Sequence, residues 1–241
     1  MKIIAFSSLK GGVGKTTATS LTAAALANNK KILAIDLDAN NNLTDFFLRN
    51  EDPMEILNRN IYHVLKSTID LEKTIYPSDV ASLDVMPAAP ILSRITAESN
   101  GDPGVILRFA SRIKRLDYDY IFIDTPPALG LELRAALYAS DLVIVPVSFN
   151  RWIIQGFDLV ADEIQQVNEA IGRAPNLKAL PTIVSDSENE KLRTALPELP
   201  FMNNFIPKNS AIKNSGTTAT LPKAGSIAET IFRYIAQEAT R

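Results

Sequence analysis

The 241-residue sequence contains no cysteine and a single histidine, His63. The first absence removes disulfides, thiolate catalysis, cysteine-held zinc and iron–sulfur clusters together. The second removes histidine-rich metal centres. An excess of one charge is also missing: 25 Lys and Arg stand against 27 Asp and Glu, for a formal net charge of −2. The whole chain therefore has no field to draw it to nucleic acid or anionic lipid, and any such binding needs a local patch. No apolar run approaches the roughly 20 residues of a membrane-spanning helix. Met1-Lys2 leads straight into an apolar strand pattern, without the regions of a signal peptide, so the expectation is a cytoplasmic protein. Internal repeats, low-complexity tracts and linkers are absent too. With 46% hydrophobic and 22% charged residues, the expectation is a single domain over residues 1–241.

What is present is an alternation of strand and helix patterns. Lys2–Ser8, Lys31–Asp38, Leu83–Ala88, Tyr120–Pro126, Leu142–Val147 and Ala179–Val184 read as strands. Lys15–Asn28, Leu43–Lys66, Val105–Leu116, Leu131–Ala139, Arg151–Ile171 and Ser226–Glu238 read as helices. Near-continuous apolar strands separated by helices predict an α/β fold, a mostly parallel central sheet with helices on both faces. In such folds ligands sit beyond the carboxyl ends of the strands.

Between the first strand and first helix runs SSLKGGVGKTT, Ser7–Thr17. It reads as a phosphate loop of the G-x-x-x-x-G-K-[ST] kind. Gly11, Gly12 and Gly14 let the backbone curl and turn successive N–H groups toward one anion. The helix N-terminus adds its dipole. Lys15 would reach the β- and γ-phosphates, and the Thr16 hydroxyl would hold Mg²⁺. Asp124 ends the strand YIFID, where a carboxylate would face the metal's ligand sphere. In AIDLDANNN, alternation puts Asp36 and Asp38 on one side with Leu37 opposite. One would then lie near the metal and one would position water; taken alone, the pair also suits helix capping. Lys10, a second cation at the loop's mouth, reads on its own equally as a solvated lysine.

KGGVGKTT, AIDLDANNN, DTPPALGLELRAALYASDLVIVPV and IPKNSAIKNS resemble four segments of the ParA family of P-loop ATPases. These are its deviant Walker A loop, aspartate motif, Walker B region and base-proximal segment. The likeness covers nearly the whole chain, and D-T-P-P favours ParA over its superfamily relative MinD. The resemblance implies ATP and Mg²⁺ as cofactors and an ATP-bound homodimer in which Lys10 reaches the other subunit's nucleotide. It implies catalytic roles for Lys10, Lys15 and Asp38, and nucleotide contacts by Gly11, Gly12, Val13, Gly14, Lys15, Thr16 and Thr17. Pro207 and Asn209 would lie near adenine, and Thr16, Asp36 and Asp124 on the metal side. One departure is Ala39-Asn40, where the family usually has Pro-Gln; it puts fine control of hydrolysis in question.

The family further implies non-specific DNA binding, nucleoid association, no membrane, and release when a ParB-like or cargo adaptor protein stimulates hydrolysis. Plasmid or chromosomal DNA would be the cargo. A protein cargo such as a carboxysome or chemoreceptor cluster is the alternative, with a MinD-like membrane-cycling regulator behind it. The chain starts at its first strand, as in the short type without an N-terminal DNA-binding region. Zero cysteines argue against a relative of the nitrogenase iron protein, and Lys10 with D-T-P-P against a dethiobiotin synthetase.

For DNA, the candidates are Lys208, Lys213 and Lys223, with no acid between Leu199 and Ala228, and Lys191 and Arg193 just before. Such a cluster would neutralise phosphates without reading sequence. Arg108, Arg112 and Arg115, beside Lys114, read as a solvated face. Ile227, Ile231, Phe232 and Ile235 mark a core-packing face on the last helix rather than a basic membrane anchor. Trp152 is read as a packing or partner contact.

Overall fold

A computed structural model of the chain describes residues 1–99, 102, 104–149 and 153–241. The strands are β1 (Lys2–Phe6), β2 (Ile32–Asp36), β3 (Tyr76–Pro77), β4 (Leu83–Met86), β5 (Tyr120–Asp124), β6 (Leu142–Val147), β7 (Asn176–Val184) and β8 (Ile206–Pro207). They form one sheet in the order β3-β4-β2-β5-β1-β6-β7-β8, and only β3 runs antiparallel to its neighbour. The helices are α1 (Lys15–Ala27), α2 (Asn42–Leu48), α3 (Pro53–Asn58), α4 (Ile61–Leu65), α5 (Ile95–Glu98), α6 (Gly104–Ile113), α7 (Leu131–Ala139), α8 (Ile153–Ile171), α9 (Asp186–Ala195), α10 (Ser210–Thr218) and α11 (Ile227–Thr240).

Strand alternation divides the core between the two faces of the sheet. Ile3, Ala5, Leu33, Ile35, Ile121 and Ile123 pack with Phe109, Leu133, Leu137 and Val160 of α6, α7 and α8. Ile4, Phe6, Ile32, Ala34 and Phe122 pack with Leu21 of α1 and with Phe232 and Ile235 of α11. Burying each such side chain is worth roughly 1.5–3 kcal/mol. Residues on both faces are apolar, so the strands read as continuous runs, as a doubly covered parallel sheet requires.

The helical region expected over Leu43–Lys66 holds three separate helices, α2, α3 and α4. Pro53 stands in the first turn of α3, and the Asp52 carboxylate accepts from Met54 N–H. The Asn60 side chain accepts from Tyr62 N–H and starts α4 afresh. Proline and these local caps each compete with a continuous helix. The short elements β3, β8, α5, α9 and α10 are not in the sequence reading. The α9 signal was available in Ser185 and Glu188, which form a reciprocal capping box. The expected start of α8 at Arg151, and Trp152 with it, lie outside the described residues.

On α11, Ala228, Phe232, Ile235, Ala236 and Ala239 are buried, and the helix packs against α1. Ile227 departs from the predicted packing face and is 74% exposed. No helix among the described residues is long and apolar enough to cross a membrane.

Pairing fixes where chemistry can gather. Asp124 of β5 stands in register with Phe6 of β1 on one side and Asp36 of β2 on the other. The carboxyl ends of these three strands therefore open side by side, directly beneath the Ser7–Gly14 loop.

Candidate nucleotide site

The loop after β1 curls at Gly12 and Gly14, with φ of +77° and +80°. Only glycine takes such angles without strain. Leu9 occupies the first glycine position of G-x-x-x-x-G-K-[ST], so that pattern holds only in Gly14-Lys15-Thr16. The loop is the K-G-G-x-G-K-[ST] variant, with its glycines drawn closer to the helix.

Lys15 opens α1 and is buried. Its Nζ lies 2.9 Å from Asp124 Oδ1, and the Thr16 hydroxyl donates to Asp124 Oδ2 at 2.6 Å. Thr19, one turn further along α1, donates to Asp124 Oδ1 at 3.1 Å. Asp124 is completely buried, and this cation with two hydroxyls compensates its charge. Sequence reasoning missed Thr19; the helical i, i+4 step from Lys15 was the signal.

Two joined cavities extend from this cluster. One, of about 400 Å³, is bordered by Lys10, Gly11, Lys15, Thr16, Asp38 and Asn40. The other, of about 770 Å³, shares Gly12, Gly14 and Thr17 and continues to Pro207, Asn209 and Ile212. Gly216 of α10 borders both. A methyl group on it would come within 2.5 Å of Thr17 Oγ1, so glycine is what lets α10 lie against the loop helix. That glycine inside a helical stretch was a legible but unused signal.

The two aspartates of AIDLDANNN part company. Asp38 borders the phosphate-side cavity, and its Oδ1 accepts from the backbone N–H and side-chain amide of Asn40, both at 3.0 Å. Neither Asp36 nor Asp124 borders it; Asp124 meets it through Lys15 and Thr16, whereas Asp36 turns to Asp38 and Thr44. Asp36 Oδ1 accepts from Asp38 N–H at 3.0 Å, and its Oδ2 accepts from Thr44 N–H and hydroxyl at 2.9 and 2.8 Å. β2 ends at Asp36 and the chain turns, so strand alternation no longer governs Asp38. Burial, then repulsion from Asp124, pushes Asp36 up to about 7 against the pull of the Asp38 and Thr44 donors.

Lys10 is exposed and forms no salt bridge among the described residues. Its backbone is clipped by Ser8, whose hydroxyl accepts from Lys10 N–H and donates to Lys10 C=O. Pro207 lies in β8, and the Asn209 side-chain oxygen caps α10 by accepting from Ala211 and Ile212 N–H.

The basic candidates are not one set of free charges. Arg193 donates to the Met202 carbonyl at 2.5 Å and lies over the Phe201 ring. Lys208 pairs with Glu188 at 2.7 Å. Lys213 borders the larger cavity, while Lys191 and Lys223 are exposed. In the arginine stripe, Arg108 is held by Asp102 at 2.6 Å.

The donor set suits a nucleoside triphosphate with Mg²⁺. Buried Lys15 and the curled loop face the phosphate end, and Ile206, Pro207 and Ile212 make the far end apolar. A hydroxyl and a carboxylate, Thr16 and Asp124, are the hard oxygen ligands Mg²⁺ takes alongside phosphate oxygens. Among the described residues no group of three or more His, Cys, Asp or Glu is gathered to hold a metal ion.

A family model described as an AAA domain matches residues 1–178. The chromosome-partitioning ATPase Soj of Thermus thermophilus is 30% identical over 248 residues, covering 98% of this chain and 94% of that protein. The chain belongs to the ParA family of P-loop ATPases. The chromosome partitioning protein ParA of Myxococcus xanthus is 32% identical over 180 residues; the match covers 73% of this chain and 62%, less than two thirds, of that protein. Among solved structures, a plasmid partition protein of Borrelia burgdorferi B31 bound to AMPPNP superimposes with a TM-score of 0.86. It is 25% identical, with 98% of this chain and 97% of the other covered. The ParA fold of this chain is thus seen elsewhere around a nucleotide analogue.

Proposed function

We propose that this ParA-family chain is an ATPase that positions cargo. Its ATP-bound homodimer binds DNA without sequence preference and releases it on hydrolysis stimulated by a ParB-like or cargo adaptor, segregating plasmid or chromosomal DNA. The observation that carries the reading is the convergence of Lys15 and Thr16, which border the cleft, on the buried Asp124 beneath them. The partition roles named for the Thermus, Myxococcus and Borrelia relatives support the cargo.

Bound Mg²⁺ would supply neutralising charge at the phosphates. Lys15 and the N–H groups of residues 11–17 bind and orient the phosphate chain. Thr16 and Asp124 would hold the metal, while Asp36, engaged by Thr44, keeps α2 in place. Asp38 orients the attacking water and accepts its proton on Oδ2, because Asn40 engages Oδ1. Lys10, presented by the Ser8 clip, crosses to the partner copy's phosphates and acts there as a cationic finger.

Asp38→Ala tests this chemistry. Removing the group that handles the proton is expected to slow turnover about 10²-fold or more, with Mg²⁺–ATP binding retained and the dimer accumulating. Turnover and ATP-dependent mass are measured together; normal turnover removes Asp38 from the reaction.

A further inference from the structure

At the end of β7 two consecutive residues, Thr182 and Ile183, line the same cavity. In an extended strand successive side chains point to opposite faces. Ile183 departs from that rule with φ of +57°. For a β-branched residue this left-handed conformation is a steric outlier. It falls where β7 shifts register against β8, between the pairs Thr182↔Ile206 and Val184↔Pro207. Thr182 holds the near side of the corner: it is fully buried, and its hydroxyl donates to the Val13 carbonyl of the phosphate loop at 2.8 Å. Burial does not compensate the strain at Ile183, whose side chain remains 43% exposed. Its Cδ1 would lie 3.6 Å from a methyl group placed on Gly14. Ile206, Pro207 and Ile212 line the same cavity.

We propose that Ile183 is a specificity and positioning residue for the nucleotide, covering one face of the base beside the phosphate loop. The proposal rests on the reading of the cleft as an ATP site. Strained backbone persists where surrounding structure imposes it, and it gathers at ligand clamps. Here the Thr182–Val13 bond and the β7–β8 register shift impose it, and the result is an apolar side chain beside the phosphate loop that extends the apolar end formed by Ile206, Pro207 and Ile212. An aliphatic side chain meets a base through its flat face. It therefore favours a nucleotide over the bare polyphosphate.

The test measures dissociation constants for Mg²⁺–ATP and Mg²⁺–tripolyphosphate, with melting temperatures, in the parent, Ile183→Gly and Ile183→Asn. Glycine and asparagine both tolerate the left-handed angle, and asparagine keeps bulk without the apolar platform. Both variants are expected to lose about tenfold in ATP affinity, the scale of one partly buried aliphatic side chain. Tripolyphosphate affinity stays within about twofold of the parent, and melting temperatures stay level or rise as strain is relieved. ATP affinity unchanged in both variants overturns the proposal alone. Equal losses for ATP and tripolyphosphate overturn it too, making Ile183 a prop of the phosphate loop. A parent that binds neither ligand removes the ATP-site reading and the proposal with it.

Discussion

Asp36 and Asp124 end neighbouring strands in register, yet their surroundings differ. Asp124 has the Lys15 ammonium on its carboxylate; Asp36 has only backbone and hydroxyl donors from Asp38 and Thr44. Burial and the nearby Asp124 charge raise Asp36 to about 7, against an ordinary value of 3.8. The native state thus holds this proton more tightly than the unfolded chain. Its contribution to stability is complete below about pH 4 and is lost as pH rises toward 7. Chemical denaturation of nucleotide- and Mg²⁺-free protein between pH 5 and 8 should show stability falling with pH. Asp36→Asn should flatten that slope, whatever it does to absolute stability. An unchanged slope would place the titration elsewhere. At this scale, fixed spacing in the loop singled out Lys15 and Thr16 in the sequence, and the end of an apolar strand singled out Asp124, and the structure brings the three together. The different neighbours of Asp36 and Asp38 were hidden, because they depend on where β2 ends and on Thr44, eight residues away in sequence from Asp36.

Among the elements, α9 and α10 decide which basic side chains are free to meet a polyanion. Asp186, Glu188 and Glu190 share α9 with Lys191 and Arg193. Arg193 is spent on the Met202 carbonyl, and Lys208 on Glu188, whose carboxyl is lowered to about 2, first by Lys208 and then by Ser185. Lys213 faces the nucleotide cavity, so changing it would confound two activities. That leaves exposed Lys191 and Lys223 as the cleaner probes of a DNA surface. The double reversal Lys191→Glu, Lys223→Glu is expected to weaken ATP-dependent binding to non-specific duplex on the order of tenfold and to lower its salt slope. ATP-dependent mass should stay as in the parent. Anisotropy at two salt concentrations checks this; unaltered affinity and slope send the DNA surface elsewhere. The main strands were legible as apolar runs, and α6 and α11 because their apolar residues recur at helical spacing. The division of α2 from α3 and α4 was legible in Pro53, a signal left unused. The two-residue β3 and β8 carry no period to read, being set by their neighbours in the sheet.

For the whole molecule, the sheet order places the phosphate loop at the middle of one edge of the fold, with Lys10 at its rim. Lys10 borders the phosphate-side cavity and also a second cavity of about 320 Å³ lined by Val147, Gln155, Phe157 and Leu159. Lys15 already neutralises charge from within the fold, where it meets Asp124. A second cation, exposed and outside any salt bridge among the described residues, is placed to act on something that arrives. On the proposed function, Lys10 would reach the nucleotide of a second copy, so that ATP would form part of a dimer interface. The most direct test is Lys10→Ala, with nucleotide affinity and ATP-dependent mass measured side by side. ATP affinity is expected within about threefold of the parent, since Lys15, Thr16 and the loop N–H groups remain, together with a monomeric mass at saturating ATP. Equal loss of affinity and dimer, or a dimer formed as readily as the parent's, would contradict that role of Lys10.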